Sequence, residues 1–205
     1  KGSEKAVGRS FFDASVELGL ASYPGLFSIR ADARSASAFG VYWPAVLDQD
    51  VLDHVAVLED GTRLKAPRPA SFGSIEQRTH RSTVEIEDLG ETRHAPLGLV
   101  IDARSGDKGG NGNVGVWSRN EAGYRWLAAT LTADRLRALL PEARDLIVER
   151  YELPNLRALN FVIRGLLDGG ATETLRFDPQ AKALGEYLRA KLFQIPLTLL
   201  EPAGE

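Results

Sequence analysis

The chain has 205 residues, 43% hydrophobic and 26% charged, with a formal net charge of −3 and neither cysteine nor methionine. That composition suits a globular protein with a sizeable core. It argues against a general nucleic-acid binder, which needs a basic stripe, and it excludes disulfides, thiolate nucleophiles and cysteine-ligated metals.

No apolar run approaches the roughly 18 residues of a membrane span, and no signal core follows Lys1, so a cytoplasmic protein without a membrane partner is expected. A chain without methionine is also expected to be a piece of a longer protein.

Ser10 to Ala21 reads as a short helix, with Phe12, Val16 and Leu20 on one face and Ser10 as cap. Tyr23-Pro24-Gly25 breaks it. Leu26 to Ile29, Phe39 to Trp43 and His54 to Leu58 are strand candidates, and Asp60-Gly61 predicts a hairpin turn into Arg63 to Lys65. From about 67 to 95 the pattern weakens around Pro67 and Pro69. A linker is placed there, with Thr83 to Glu87 as a stray strand.

The second half is more regular. Leu97 to Ala103 and Val114 to Ser118 read as strands, Glu121 to Leu140 as a helix broken near Thr132, and Leu146 to Tyr151 as a strand. Leu156 to Leu167 suits either a helix or a strand. Asp178 to Lys191 reads as helix, with Pro179 in its first turn. With Leu159 to Arg164 as strand, the order is ββαββα, an α+β layer of ferredoxin-like type with helices on one face of the sheet. The N-terminal part is a short helix plus a few strands. The division is 1–66 as the tail of a larger N-terminal domain, 67–95 as linker and 96–205 as a second domain.

The chemistry concentrates between Ala103 and Gly115. Five glycines in ten residues, Gly106 to Gly115, predict a wide loop of about ten residues whose amides form a nest for an anion. Lys108 and Arg104 add charge, and Asn111 and Asn113 add donors. It is neither a phosphate-binding Gly-Lys-Ser/Thr loop nor a dinucleotide fingerprint. The competing reading is a hairpin loop whose glycines only permit a tight path. A second cluster runs from Arg150 to Asn160.

Three runs resemble the AtuA-like (acyclic terpene utilisation) family: Ala103-Arg104-Ser105-Gly106-Asp107-Lys108-Gly109-Gly110-Asn111 with Asn113-Val114-Gly115-Val116-Trp117, then Arg150 to Phe161, then Leu175 to Lys182. Gly8 to Pro44, with Gly40-Val41-Tyr42-Trp43-Pro44, resembles the tail of that family's N-terminal domain. The resemblance implies a ferredoxin-like C-terminal domain and a place in the catabolism of acyclic terpenes or related branched acyl-CoA compounds. It supplies no mechanism.

The expected partner is a small-molecule substrate, a CoA ester among the candidates, with no nucleic acid and no cofactor. The chain is expected to form a homo-oligomer or to contact an N-terminal domain. One reading is an enzyme or enzyme subunit, a hydratase, lyase or hydrolase, with Asp107 as acid/base. Its substrate contacts would come from Arg104, Ser105, Gly106, Lys108, Gly109, Gly110, Asn111, Asn113, Glu152, Asn155 and Arg157. In that reading Asp107 or Lys108 pairs with Glu152 or Arg157. The other reading is a non-catalytic module that caps or dimerises a catalytic domain. His54, His80 and His94 share no metal-ligand spacing. Trp117, Tyr124, Trp126 and Phe161 are expected in the core or at a subunit interface.

Overall fold

A computed structural model of the protein describes residues 2–3, 5–21, 24, 38–67, 71, 73–74 and 90–200. The chain divides into two compact units, Lys1–Gly40 and Val41–Glu205. The expected strands at Leu26 to Ile29 and Thr83 to Glu87, and His80, lie outside the described residues.

In the first unit, α1 (Arg9–Leu20) buries none of its residues. It starts two residues earlier than a Ser10 cap would set it. Gly8 occupies the cap without a side-chain bond, and Ser10 lies inside the helix.

The second unit opens with Val41 to Asp48 outside any strand. The strand expected at Phe39 to Trp43 does not form; Tyr42 makes one ladder-like bond instead, its amide donating to the Gly169 carbonyl at 2.7 Å. The Asp-Gly hairpin is present: β1 (Val55–Val57) pairs with β2 (Arg63–Lys65). Gly61 takes φ +82°. The Asp60 carboxylate accepts from the Thr62 amide at 2.8 Å, which holds its carboxyl below the usual value.

The presumed linker ends in a strand. β3 (Thr92–Pro96) pairs antiparallel with β8 (Leu192–Pro196), closing the domain's two ends on each other. Leu97–Leu99 forms a 3-10 turn, so the first long strand begins at Ile101 rather than Leu97. A four-stranded antiparallel sheet follows, in the order β4 (Ile101–Lys108), β5 (Asn111–Ser118), β7 (Ala158–Ile163), β6 (Val148–Leu153). Between the two hairpins lie α2 (Glu121–Thr130) and α3 (Ala133–Leu139), capped by Asn120 and Thr132. The break at Thr132 is where its cap chemistry predicts it. The ambiguous Leu156 to Leu167 segment holds strand β7 over Ala158–Ile163, and the turns after it bury Leu166 and Leu167.

The helix expected over Asp178 to Lys191 shrinks to α4 (Leu184–Arg189). Ala181 adopts a left-handed φ of 52°, which interrupts helical propagation. The Asp178 carboxylate is spent on the Lys182 and Ala183 amides, at 2.8 and 2.9 Å. The short α5 (Leu197–Leu200) ends the described chain. The domain is therefore α+β with antiparallel sheets, but the split helix and the β3–β8 pair depart from a bare ββαββα order.

Strand alternation fixes the core. Val114 and Val116 of β5 and Leu159, Phe161 and Ile163 of β7 are buried against Trp126, Leu127, Leu136 and Leu188 of the helices. Trp126 meets Phe193 edge-to-face, with centroids 5.6 Å apart. Within this unit, α2, α3 and α4 thus share one face of the sheet. No helix among the described residues is long and apolar enough to cross a membrane.

Candidate functional site

The wide glycine loop does not exist. β4 and β5 run through it and leave Gly109-Gly110 as a two-residue turn. The glycines serve close approach instead. Gly109 has φ +62°, and a Cβ there would strike the Tyr42 ring. A Cβ at Gly110 would strike the Asp168 carbonyl, and one at Gly112 the Leu166 side chain. Asn111 Oδ1 accepts from the Gly165 amide at 2.9 Å, and the Gly110 carbonyl accepts from the Leu167 amide at 2.9 Å. The tip is packed beneath Tyr42 and the 165–170 turns, so its backbone does not form an open nest.

The alternation of β4 separates residues that are contiguous in sequence. Ser105 and Asp107 lie in register with Val114 and Gly112, on the helix-bearing face. Arg104, Gly106 and Lys108 point the other way. On that other face Arg104, Gly115, Asn160 and Tyr151 stand in register across the four strands, and Gly106, Asn113, Val162 and Glu149 form the next row. Gly115 leaves a shallow floor: the nearest atoms to a Cβ there are the Arg104 carbonyl at 3.7 Å and Asn160 Oδ1 at 3.9 Å. Asn113 Nδ2 donates to Asn160 Oδ1 at 2.6 Å and to the Phe161 carbonyl at 3.4 Å.

One further cation reaches this face. Lys182 Nζ lies 3.4 Å from where a Gly106 Cβ would be. Its segment is anchored by Ser105, whose hydroxyl donates to the Lys182 carbonyl at 3.2 Å and accepts from the Gly185 amide at 2.8 Å. Ser105 is therefore a buried structural link. Arg104, Lys108 and Lys182 have no carboxylate partner among the described residues, whereas Asp102 on the same strand is paired with Arg119 and Arg189. Lys108 Nζ donates only to the Asp107 carbonyl, at 3.0 Å.

The expected pairing of Asp107 or Lys108 with the second cluster is overturned. Glu152 lies four residues along and three strands across from Asp107, about 20 Å by strand rise and spacing. Asn160, the nearest of that cluster in register, is still about 14 Å away on the same reckoning and on the opposite face. Asn155 and Arg157 are exposed in the β6–β7 turn, at the other end of the sheet, with Arg157 at φ 49°. Glu152 faces the helices, where its carboxylate meets Arg150 Nη1 at 2.6 Å. Arg150 also donates to the Ala128 and Leu131 carbonyls at 2.5 and 3.1 Å, covering the C-terminal end of α2.

Asn160, Gly115, Lys182 and Tyr151 join the face without having been singled out as site residues. The signal that finds them is cross-strand register, which needs the pairing partners. Trp117, 36% exposed, lies on this face rather than in the core; Tyr124, Trp126 and Phe161 are buried as expected. Tyr151 donates to Glu149 at 3.1 Å, which raises its phenol pKa, while the Arg164 guanidinium lowers that of Glu149. No cluster of metal ligands occurs among the described residues.

The architecture is thus an antiparallel α+β domain with a cationic edge on its open sheet face, built from three linked sequence runs. Residues 95–193 match the family model of the AtuA ferredoxin-like domain, a stretch that contains all three runs. The chain carries an AtuA-like C-terminal ferredoxin-like domain. Neither a curated protein nor a solved structure matches it.

Proposed function

We propose that this domain holds the phosphate or carboxylate of a small acyl compound, a CoA ester foremost, on the cationic edge of the open sheet face. It would do so within a cytoplasmic enzyme or enzyme subunit of acyclic terpene or branched acyl-CoA catabolism. The observation that carries the reading is Lys182 Nζ beside Gly106, on the strand face that Arg104 and Lys108 share with it, none of the three with a carboxylate partner among the described residues. An anion seated there gains charge-assisted hydrogen bonds that the protein itself leaves unmade. Gly106 keeps the floor low enough for it, and Asn113, in register with Gly106, can share with it the Nδ2 hydrogen that makes the long 3.4 Å contact to the Phe161 carbonyl. Asp107, the candidate acid/base, faces the opposite side and takes no part in holding this anion.

Isothermal titration with CoA and with pyrophosphate tests the reading. Binding should weaken with salt, and Arg104→Ala and Lys182→Ala should each weaken it about tenfold. Failure of both ligands to bind, or an unchanged affinity in the double variant, rejects it. One observation favours the capping or dimerisation alternative: Trp117, Tyr151 and Leu153 are exposed together at the far end of the same face. Sedimentation showing a dimer that Trp117→Ser dissociates, together with no CoA binding, would establish that alternative.

A further inference from the structure

The third run, Leu175 to Lys182, has no part in the anion reading beyond Lys182. It lines a cavity of about 470 Å³ against α4, within the range of roughly 300–1,000 Å³ that small-molecule sites occupy. Its walls are apolar: Leu175, Phe177, Leu184 and Tyr187. Leu175 and Phe177 are 81% and 71% exposed, unusual for two large apolar residues flanking one cation. That cation, Arg176, is mostly buried, and so is Glu142, its ion-pair partner at 3.4 Å. The pair is long and single. Arg176 Nε is buried without a hydrogen-bond partner in the protein. The other carboxylate on the cavity wall, Asp178, is occupied by two backbone amides. The cavity therefore combines an aliphatic and aromatic surface with a guanidinium whose donors are under-used. A buried guanidinium left so is costly, and a carboxylate in its plane is the geometry it fits.

We propose that this cavity is a binding site for an aliphatic monocarboxylate. The chain lies on Leu175, Phe177, Leu184 and Tyr187, and the carboxylate accepts from Arg176, displacing or sharing its loose contact with Glu142. The left-handed Ala181 and the Asp178 cap hold the cavity's rim in place, since the turn they fix sets the start of α4. The site uses different side chains from the anion strip at Gly106, and a failure there leaves it intact.

The test is calorimetric titration of the full chain with octanoate and, at equal chain length, octanol. Octanoate should bind saturably. Arg176→Gln should weaken octanoate about tenfold, the loss of one charge-assisted contact, and leave octanol unchanged. Phe177→Ser, at an exposed position that folding tolerates, should weaken both. Glu142→Gln, which frees the guanidinium and removes a neighbouring negative charge, should strengthen octanoate binding. In the Arg104→Ala background, which disables the anion strip, octanoate should still bind saturably and Arg176→Gln should still weaken it, which separates this site from the strip. The proposal is overturned if octanoate does not bind, if octanoate and octanol bind equally with Arg176→Gln silent, or if Phe177→Ser leaves both affinities unchanged. It is overturned equally if Phe177→Ser abolishes a concentration-dependent self-association while no ligand binds.

Discussion

Replacing Arg150 by Met probes the structural heart of the second run. The Arg150 side chain is 18% exposed and that of Glu152 only 4%. The guanidinium contacts Glu152 at 2.6 Å and the Ala128 and Leu131 carbonyls at 2.5 and 3.1 Å. Met fills similar volume but leaves a buried carboxylate without its arginine and helix-end carbonyls without their donor. Breaking a buried pair in this way costs about 3–5 kcal/mol, a large part of the 5–15 typical of a domain. With a urea m-value near 2 kcal/mol/M, the midpoint should fall by about 2 M. Urea denaturation followed by far-UV circular dichroism measures it. The double variant Arg150→Met/Glu152→Leu should recover part of the loss, because the buried carboxylate that Arg150 faced is then gone. A loss under about 1 kcal/mol in the single variant, the value of an exposed pair, would refute the argument.

Gly109→Ala should destabilise the domain by about 1–3 kcal/mol, because a left-handed φ and the Tyr42 ring both oppose a Cβ; Tyr42→Ala in the same background should return part of it in thermal melts. Glu149→Gln should bring the Tyr151 phenol back down toward 10.0, its ordinary value, read by NMR titration of the ring. The Glu149 carboxyl, lowered chiefly by its hydrogen bond to Arg164, gives stability present above its ordinary value of 4.5 and lost as pH falls below it; the pair is half-exposed, so Arg164→Ala should flatten the acid limb of the stability curve by less than about 1 kcal/mol. Asp107→Asn should leave CoA affinity within about twofold of the parent, since its carboxylate is on the other face of the sheet; a loss as large as that of Arg104→Ala would contradict the assignment of faces.

Local chemistry made some of the fold readable in advance. The Asp-Gly turn at Gly61, the Thr132 cap that splits α2 from α3, and the strands around Val114 and Val148 follow from residues within a few positions of each element. What escaped depends on partners far along the chain. β3 pairs with β8 across about a hundred residues, Thr92 against Pro196, and nothing near Thr92 announces a strand. The expected helix loses its residues from Asp178 to Ala183 because Asp178 satisfies two amides by a tight turn, and Ala181 then enters a conformation that a sequence pattern assigns to glycine. The role of the glycines at the hairpin tip likewise depends on distant partners. Their density does allow unusual backbone geometry, but only one of Gly109, Gly110 and Gly112 has a positive φ. The others are small because Asp168 and Leu166 press against them.

The first run shows why a contiguous motif need not be a contiguous site. In a loop, Arg104, Ser105, Gly106, Asp107 and Lys108 could all turn toward one ligand, and reading them as one cluster follows. In a strand they cannot, because successive side chains leave opposite faces. The structure therefore gives this run two tasks. Ser105 looks inward and fastens the Lys182–Gly185 turn; Arg104 and Lys108 look outward on either side of Gly106, without a carboxylate partner among the described residues. The inward task supports the outward one, since the turn that Ser105 fastens is the one that delivers Lys182 Nζ over Gly106. The same logic links the second run, where Asn160 reaches Asn113 on the outer face while Arg150 and Glu152 brace α2 on the inner. Residues from separate runs meet wherever register brings them to one face, and neighbours in sequence part wherever it does not.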